Sequence, residues 1–125
     1  MRREFRRHAR WCPKGRPPGG RRLDLFPDYS AFPVWERDGM SRPKRLGIPA
    51  ELAEALTAWR QWWERHAEYG GGEPADAAQR AAWYERGAVL ADRLARQTGA
   101  EVVYLWSAGD RDQECGTCGP DARTR

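Results

Sequence analysis

The sequence contains no asparagine, only two lysines beside twenty arginines, three cysteines and two histidines in 125 residues. With alanine and glycine abundant, the lysine and asparagine shortage reads as the codon bias of a high-GC genome. Arginine content by itself is therefore no argument for phosphate recognition. Long apolar runs are missing too. A membrane helix needs about 18–20 such residues, and the longest run here, Val102 to Trp106, has five. The basic N-terminus is not read as a secretory signal, because no apolar segment of roughly 7–15 residues follows it. An organelle transit peptide has a similar charge, but Pro13, Pro17, Pro18, Gly15, Gly19 and Gly20 break any amphipathic helix past residue 12. The expected compartment is the cytoplasm. Cys12 stands near one end of the chain and Cys115 and Cys118 near the other. Three thiols cannot pair completely, and none is placed to staple the middle, which argues against a secreted disulfide scaffold. No Ser/His/Asp or Cys/His set, phosphate loop or H-E-x-x-H is present, so no enzyme activity is expected.

The charge is unevenly distributed. The total is +4, from 22 basic and 18 acidic residues. Nine of the basic residues and one acid lie in residues 1–22, a net of +8, which leaves residues 23–125 at −4. A single domain is all that this length allows. The expected organisation is a basic, Pro/Gly-rich disordered arm over 1–21, a folded body over 22–106, and a flexible polar tail over 107–125. No internal repeat is visible.

Within the body, Arg22–Phe26 alternates apolar and charged residues as a strand does, and Pro27 ends it. Asp28–Pro33 reads as loop, Pro33–Glu36 as a short edge strand, and Arg37-Asp38-Gly39 as a turn. Ala50–Tyr69 is the clearest helix. Pro49 suits its first position, and Gly70–Gly72 suits its end. Leu52, Ala55, Leu56, Trp59, Trp62, Trp63 and His66 share one face. A second helix is expected from about Asp76 to Thr98, with Asp76 and Gln79 at capping-box spacing and Gly99 as its C-cap. Trp83, Gly87, Leu90, Ala91 and Leu94 form its inner face. Glu101–Trp106 is β-branched and aromatic, hence a strand. The pattern predicts an α+β fold: a small two-layer domain of two to three short strands on two long amphipathic helices, with the first and last strands paired.

Several residue groups carry candidate chemistry. Cys115 and Cys118 in C-x-x-C-G, with His8 and Cys12, would supply the four ligands of a zinc clamp joining the two ends. Two reduced thiols on a polar tail are the plainer reading, and no cofactor is expected. The Arg-rich arm (Arg2, Arg3, Arg6, Arg7, Arg10), with Phe5 and Trp11 for stacking, suits nucleic acid, although a solvated extension has the same composition. The segment from Asp28 through Tyr29 and Trp35 to Glu36 and Asp38 concentrates aromatic and acidic groups on loops. Tyr and Trp there suit partner recognition, or they cover the end of the sheet. His66 is read as a half-buried packing residue.

A strand followed by Asp28-Tyr29, Pro33-Val34-Trp35 and Leu46-Gly47-Ile48 precedes the Leu52…Leu56…Trp59 helix. Gly87-x-x-Leu90-Ala91-x-x-Leu94 and Val102-Val103-Tyr104 complete the layout. This resembles a small actinobacterial family, some of whose relatives accompany polymorphic-toxin loci as immunity partners. The resemblance covers about residues 22–105, and Phe32 departs from its loop pattern. It carries over no catalytic residue. It implies a protein-binding module, an immunity-type protein. The negative body and the aromatic loop would then have that partner's basic active-site cleft occluded by Asp28, Tyr29, Trp35, Glu36 and Asp38, with electrostatic steering. Binding of nucleic acid through the arm is the alternative. The oligomeric state is open.

Overall fold

Leu23 and Leu25 alternating with Arg22 and Asp24 produce the first strand, β1 (Arg22–Leu25). In the computed structural model, which describes residues 21–67 and 72–106, Pro27 follows this strand and the chain turns back through a loop into β2 (Val34–Glu36). A two-residue turn at Arg37–Asp38 then leads to β3 (Gly39–Met40), with Gly39 at φ 138°. Next come a short helix, α1 (Pro43–Leu46), the two long helices α2 (Ala50–His66) and α3 (Ala77–Thr98), and β4 (Glu101–Tyr104). The sheet order is β3-β2-β1-β4. β2 runs antiparallel to both its neighbours, and β4 runs parallel to β1. A parallel pair needs a long crossover, which the α2–α3 hairpin provides. The α+β class and the pairing of first and last strands are thus as expected. The parallel direction, β3 and α1 are additions, and because β3 pairs along its outer side, β2 is an inner strand and not the expected edge strand. α1 has proline at its first turn and Gly47 in the left-handed C-cap position (φ 69°), a start-and-stop pair for one turn.

Strand alternation sorts the side chains to two faces. Leu23, Leu25 and Val34 join Leu52, Leu56, Trp59, Trp83, Leu90 and Leu94 in the main core, with Val102 and Tyr104 packed against it. Phe26, Val103 and Leu105, with Trp35 against them, form a smaller cluster. Of the four helix tryptophans, Trp59 and Trp83 are buried, whereas Trp62 and Trp63 are half-buried at the rim. The capping box is present: Asp76 accepts from the Gln79 backbone, and Gln79 accepts from the Asp76 backbone.

Two helix ends differ from expectation. Pro49 is the N-cap of α2, not its first residue, because its ψ of 155° is extended. α2 stops at His66 rather than Tyr69. The returning chain satisfies the last-turn carbonyls, with Gly72 N–H on Ala67 O (3.0 Å) and Glu73 N–H on Arg65 O (3.1 Å). Ala67 is accordingly extended. Tyr69, Gly70 and Gly71 lie outside the described residues.

Candidate functional site

The Asp28–Pro33 loop leaves the C-terminal end of β1. Its base is closed by Phe26 N–H donating to Pro33 O at 3.0 Å. The Asp28 carboxylate accepts the Tyr29 backbone N–H at 2.8 Å, which orders the first turn. Ser30, exposed, has φ +53° and is the one non-glycine residue with positive φ among those described. Such a conformation costs on the order of 1–3 kcal/mol and persists only where its surroundings impose it. The Tyr29 ring packs on Trp63 of α2, centroids 4.8 Å apart and tilted 54°. Phe32 N–H donates to Met40 Sδ (3.1 Å), which ties the loop to β3. The sequence thus builds a small aromatic platform on a loop held from both layers.

The other expected contact residues are placed differently. Trp35 lies within β2, as the strand expected over Pro33–Glu36 implies, and so does not belong to the Asp28–Pro33 loop. Its indole stacks on Phe26 (4.7 Å, 6°), and its Nε1–H donates to Phe26 O at 3.2 Å. Glu36 is also on β2, and its carboxylate takes three partners. Ser41 Oγ, buried, donates at 2.6 Å, and Arg45 Nε and Arg21 NH2 stand at 2.9 and 3.2 Å. The Ser41 hydroxyl above all, with the two guanidinium groups, holds the Glu36 carboxyl below its ordinary value, although burial works against them. Asp38 is exposed at the hairpin turn. The structure therefore brings Asp28 and Tyr29 together at one end of β2, and Glu36 and Asp38 at the other.

The Glu36 cluster has a pH signature. A lowered carboxyl value in the folded state gives stability that is fully present above the unfolded value and lost as pH falls through the folded one. Glu36→Gln is expected to lower the unfolding free energy by roughly 1–2 kcal/mol at neutral pH, with the gap narrowing as pH falls below the ordinary carboxylate range. Urea midpoints at neutral and at acid pH test this, and a gap that persists in acid would contradict it.

The charge of the described residues also differs from the −4 drawn from residues 23–125. Part of that figure belongs to Glu68 and to residues 107–125, outside the described spans. Over residues 21–67 and 72–106, twelve Lys and Arg stand against twelve Asp and Glu. Sequence reasoning missed how these are sorted. Arg21, Arg37, Arg42, Lys44 and Arg45 collect where β1 begins and where the β2–β3 hairpin meets α1, against three acids, Glu36, Asp38 and, across the β1–β4 pair, Glu101. The run from Arg37 to Arg45 was the available signal, hidden by averaging over the chain.

His66 is half-buried and packs as expected. It lies over Trp62 at 4.1 Å, and its Nδ1 is 2.7 Å from Glu73 O. A carbonyl only accepts, so Nδ1 carries the proton. Among the described residues no group of three or more His, Cys, Asp and Glu could hold a metal ion, and no helix is long and apolar enough to cross a membrane. The arm residues Arg2, Arg3, Arg6, Arg7 and Arg10, and the zinc candidates His8, Cys12, Cys115 and Cys118, lie outside the described residues.

In comparison with known families, residues 21–108 match the model described as Serratia CdiI immunity protein-like. A comparison with curated proteins finds no match.

Proposed function

The chain belongs to the Serratia CdiI immunity protein-like family, and on that premise we propose that it neutralises a toxin by binding it, without chemistry of its own. The family match over the whole folded body carries this reading. The loop geometry supports a location for the contact. Tyr29 is a large, orientable side chain backed by Trp63, and it sits beside Ser30 in a conformation that the loop must enforce. Aromatic anchors held in this way are typical of interface hot spots. Among the described residues, Asp28 and Asp38 make no ion pair of the Glu36 kind. Asp28 adjoins this contact through Tyr29, whereas Asp38 and Glu36 stand at the other end of β2 and Trp35 packs on Phe26. Occlusion of the toxin's active site then depends on Tyr29 and loop shape more than on acids meeting a basic cleft.

A toxin domain, where sequencing of the locus finds one encoded beside the gene, provides the test. Wild-type protein should capture it and protect cells that express it. Tyr29→Ala should weaken capture by about 2–4 kcal/mol, the range of a central aromatic anchor, with a melting temperature lowered by only a few degrees as the Trp63 contact is lost. Trp35→Ala should instead act chiefly on the melting temperature. Full capture and protection by Tyr29→Ala would place the contact elsewhere, and failure of the wild type to capture the toxin would remove the reading altogether.

A further inference from the structure

The basic corner carries an excess of cations, and the fold fixes it in place. Ser41 is buried, donates its hydroxyl to Glu36 (2.6 Å) and its N–H to Val34 O (2.7 Å), and so pins the start of the segment. Leu46, buried in the main core, pins the end. Between them Arg42, Lys44 and Arg45 face solvent. Arg45 and Arg21 share the single carboxylate of Glu36, leaving that cluster one positive charge in excess. Arg37, Arg42 and Lys44 make no ion pair among the described residues. The five cations against Glu36, Asp38 and Glu101 leave +2 here, and so −2 over the rest of the described residues.

The corner is continuous with the aromatic loop. Met40, 40% exposed, stands between them: its sulfur accepts from Phe32 N–H, and its neighbours in sequence lead directly to Arg42. An apolar, aromatic centre with a cationic rim is the anatomy of a protein-binding patch. We infer that the toxin-facing surface extends from the Tyr29 loop across Met40 onto this corner, and that the partner meets it with a carboxylate-rich segment. Nucleic acid fits less well. Its phosphates run past the corner along a line of uniform negative charge, and they would meet Asp38 at the hairpin tip and then the net negative remainder of the body. A compact acidic segment meets only the corner. The inference relies on the toxin-binding reading for the identity of the partner alone; the charge chemistry of the corner stands apart from it.

A fluorescent oligoglutamate peptide, titrated into the full-length chain at low salt, is the probe. It should bind, perturb the backbone amide resonances of residues 39–47, and weaken steeply toward about 0.3 M salt, where screening reaches within a few ångström. Arg42→Glu with Lys44→Glu should cost at least about tenfold, as expected when rim charges facing the opposite sign are reversed, with melting temperature unchanged. Arg6→Glu with Arg7→Glu makes the same change in net charge and should cost less than about threefold. Equal losses in the two variants, silence at residues 39–47, or tighter binding of a duplex DNA through Arg42 and Lys44 would overturn the inference. Toxin capture that survives such an outcome leaves the toxin reading intact, and lost capture with retained peptide binding strikes that reading alone.

Discussion

Gly87→Ala should destabilise the protein by about 3 kcal/mol or more, the upper part of the overpacking range. On an exposed helix the same change would stabilise by about 1 kcal/mol, so even the sign is diagnostic. A β-carbon at Gly87 would lie 2.1 Å from Tyr104 Oη, 2.4 Å from Tyr104 Cζ and 2.9 Å from Trp59 Cζ2. The phenol is not free to withdraw. Its hydroxyl donates to Tyr84 O at 3.0 Å, and its ring meets Trp59 edge-on at 5.9 Å. Burial, with Tyr84 adding to it, raises the phenol's proton affinity, so it stays a donor over the whole working range of pH. For a domain of this size the loss corresponds to a melting temperature lower by roughly 12–20 °C. Thermal unfolding followed by circular dichroism measures it. Tyr104→Ala in the Gly87→Ala background should recover part of the loss, a positive coupling in the double-mutant cycle. A melting temperature unchanged or raised in Gly87→Ala would show that β4 does not press on α3 in this way.

The second large effect belongs to the pair that joins the two long helices. Trp59 and Trp83 stack with centroids 4.5 Å apart and planes 2° from parallel. Each indole also donates to the other residue's carbonyl, Trp59 Nε1 to Trp83 O at 3.1 Å and Trp83 Nε1 to Trp59 O at 2.8 Å. The contact therefore fixes the axial register of α2 against α3 as well as burying two rings. Trp83→Ala should cost about 3–5 kcal/mol, the usual range for deleting a buried large aromatic. Trp83→Phe keeps a ring and removes one donor, and should cost nearer 1–2 kcal/mol. A small domain has about 5–10 kcal/mol in total, so the alanine variant should lose roughly half of its stability. Urea unfolding gives both values. A loss under about 1.5 kcal/mol for Trp83→Ala would mean that the helices are held elsewhere.

Much of this was legible in the sequence, for identifiable reasons. Leu52, Leu56 and Trp59 recur at helical spacing and are buried, as are Trp83, Gly87, Leu90, Ala91 and Leu94. Periodicity reports which face turns inward, because burial is decided by the same 3.6-residue repeat that forms the helix. The capping box at Asp76 and the C-cap at Gly99 are local events, so local sequence predicts them. Trp62 and Trp63 mark the limit. They lie toward the edge of the apolar stripe, where the rim begins, and no periodicity distinguishes rim from centre.

The candidate site was less legible. Asp28 and Tyr29 were found as residue types at a loop, and the loop is there. Trp35 looked like the same kind of residue, yet its ring stacks on Phe26 across the small sheet cluster. Glu36 looked like an outward acid. Its three partners come from positions 21, 41 and 45, and pairing over such separations is invisible to a reading of neighbours. The charge sum failed for a related reason, since a chain total has no geometry.

By itself the sequence determined the two helices, the three main strands, the inner faces and the non-covalent character of the core, because each follows from short-range spacing, caps and residue chemistry. Only the tertiary structure decided that β4 runs parallel to β1, that Gly87 must be glycine, and that Trp59 and Trp83 exchange hydrogen bonds. It also decided that a chain with balanced charge in its described body gathers five of its twelve cations at one corner. Each of these depends on which distant residues end up side by side. That is set by packing two layers in three dimensions, not by any interval along the chain.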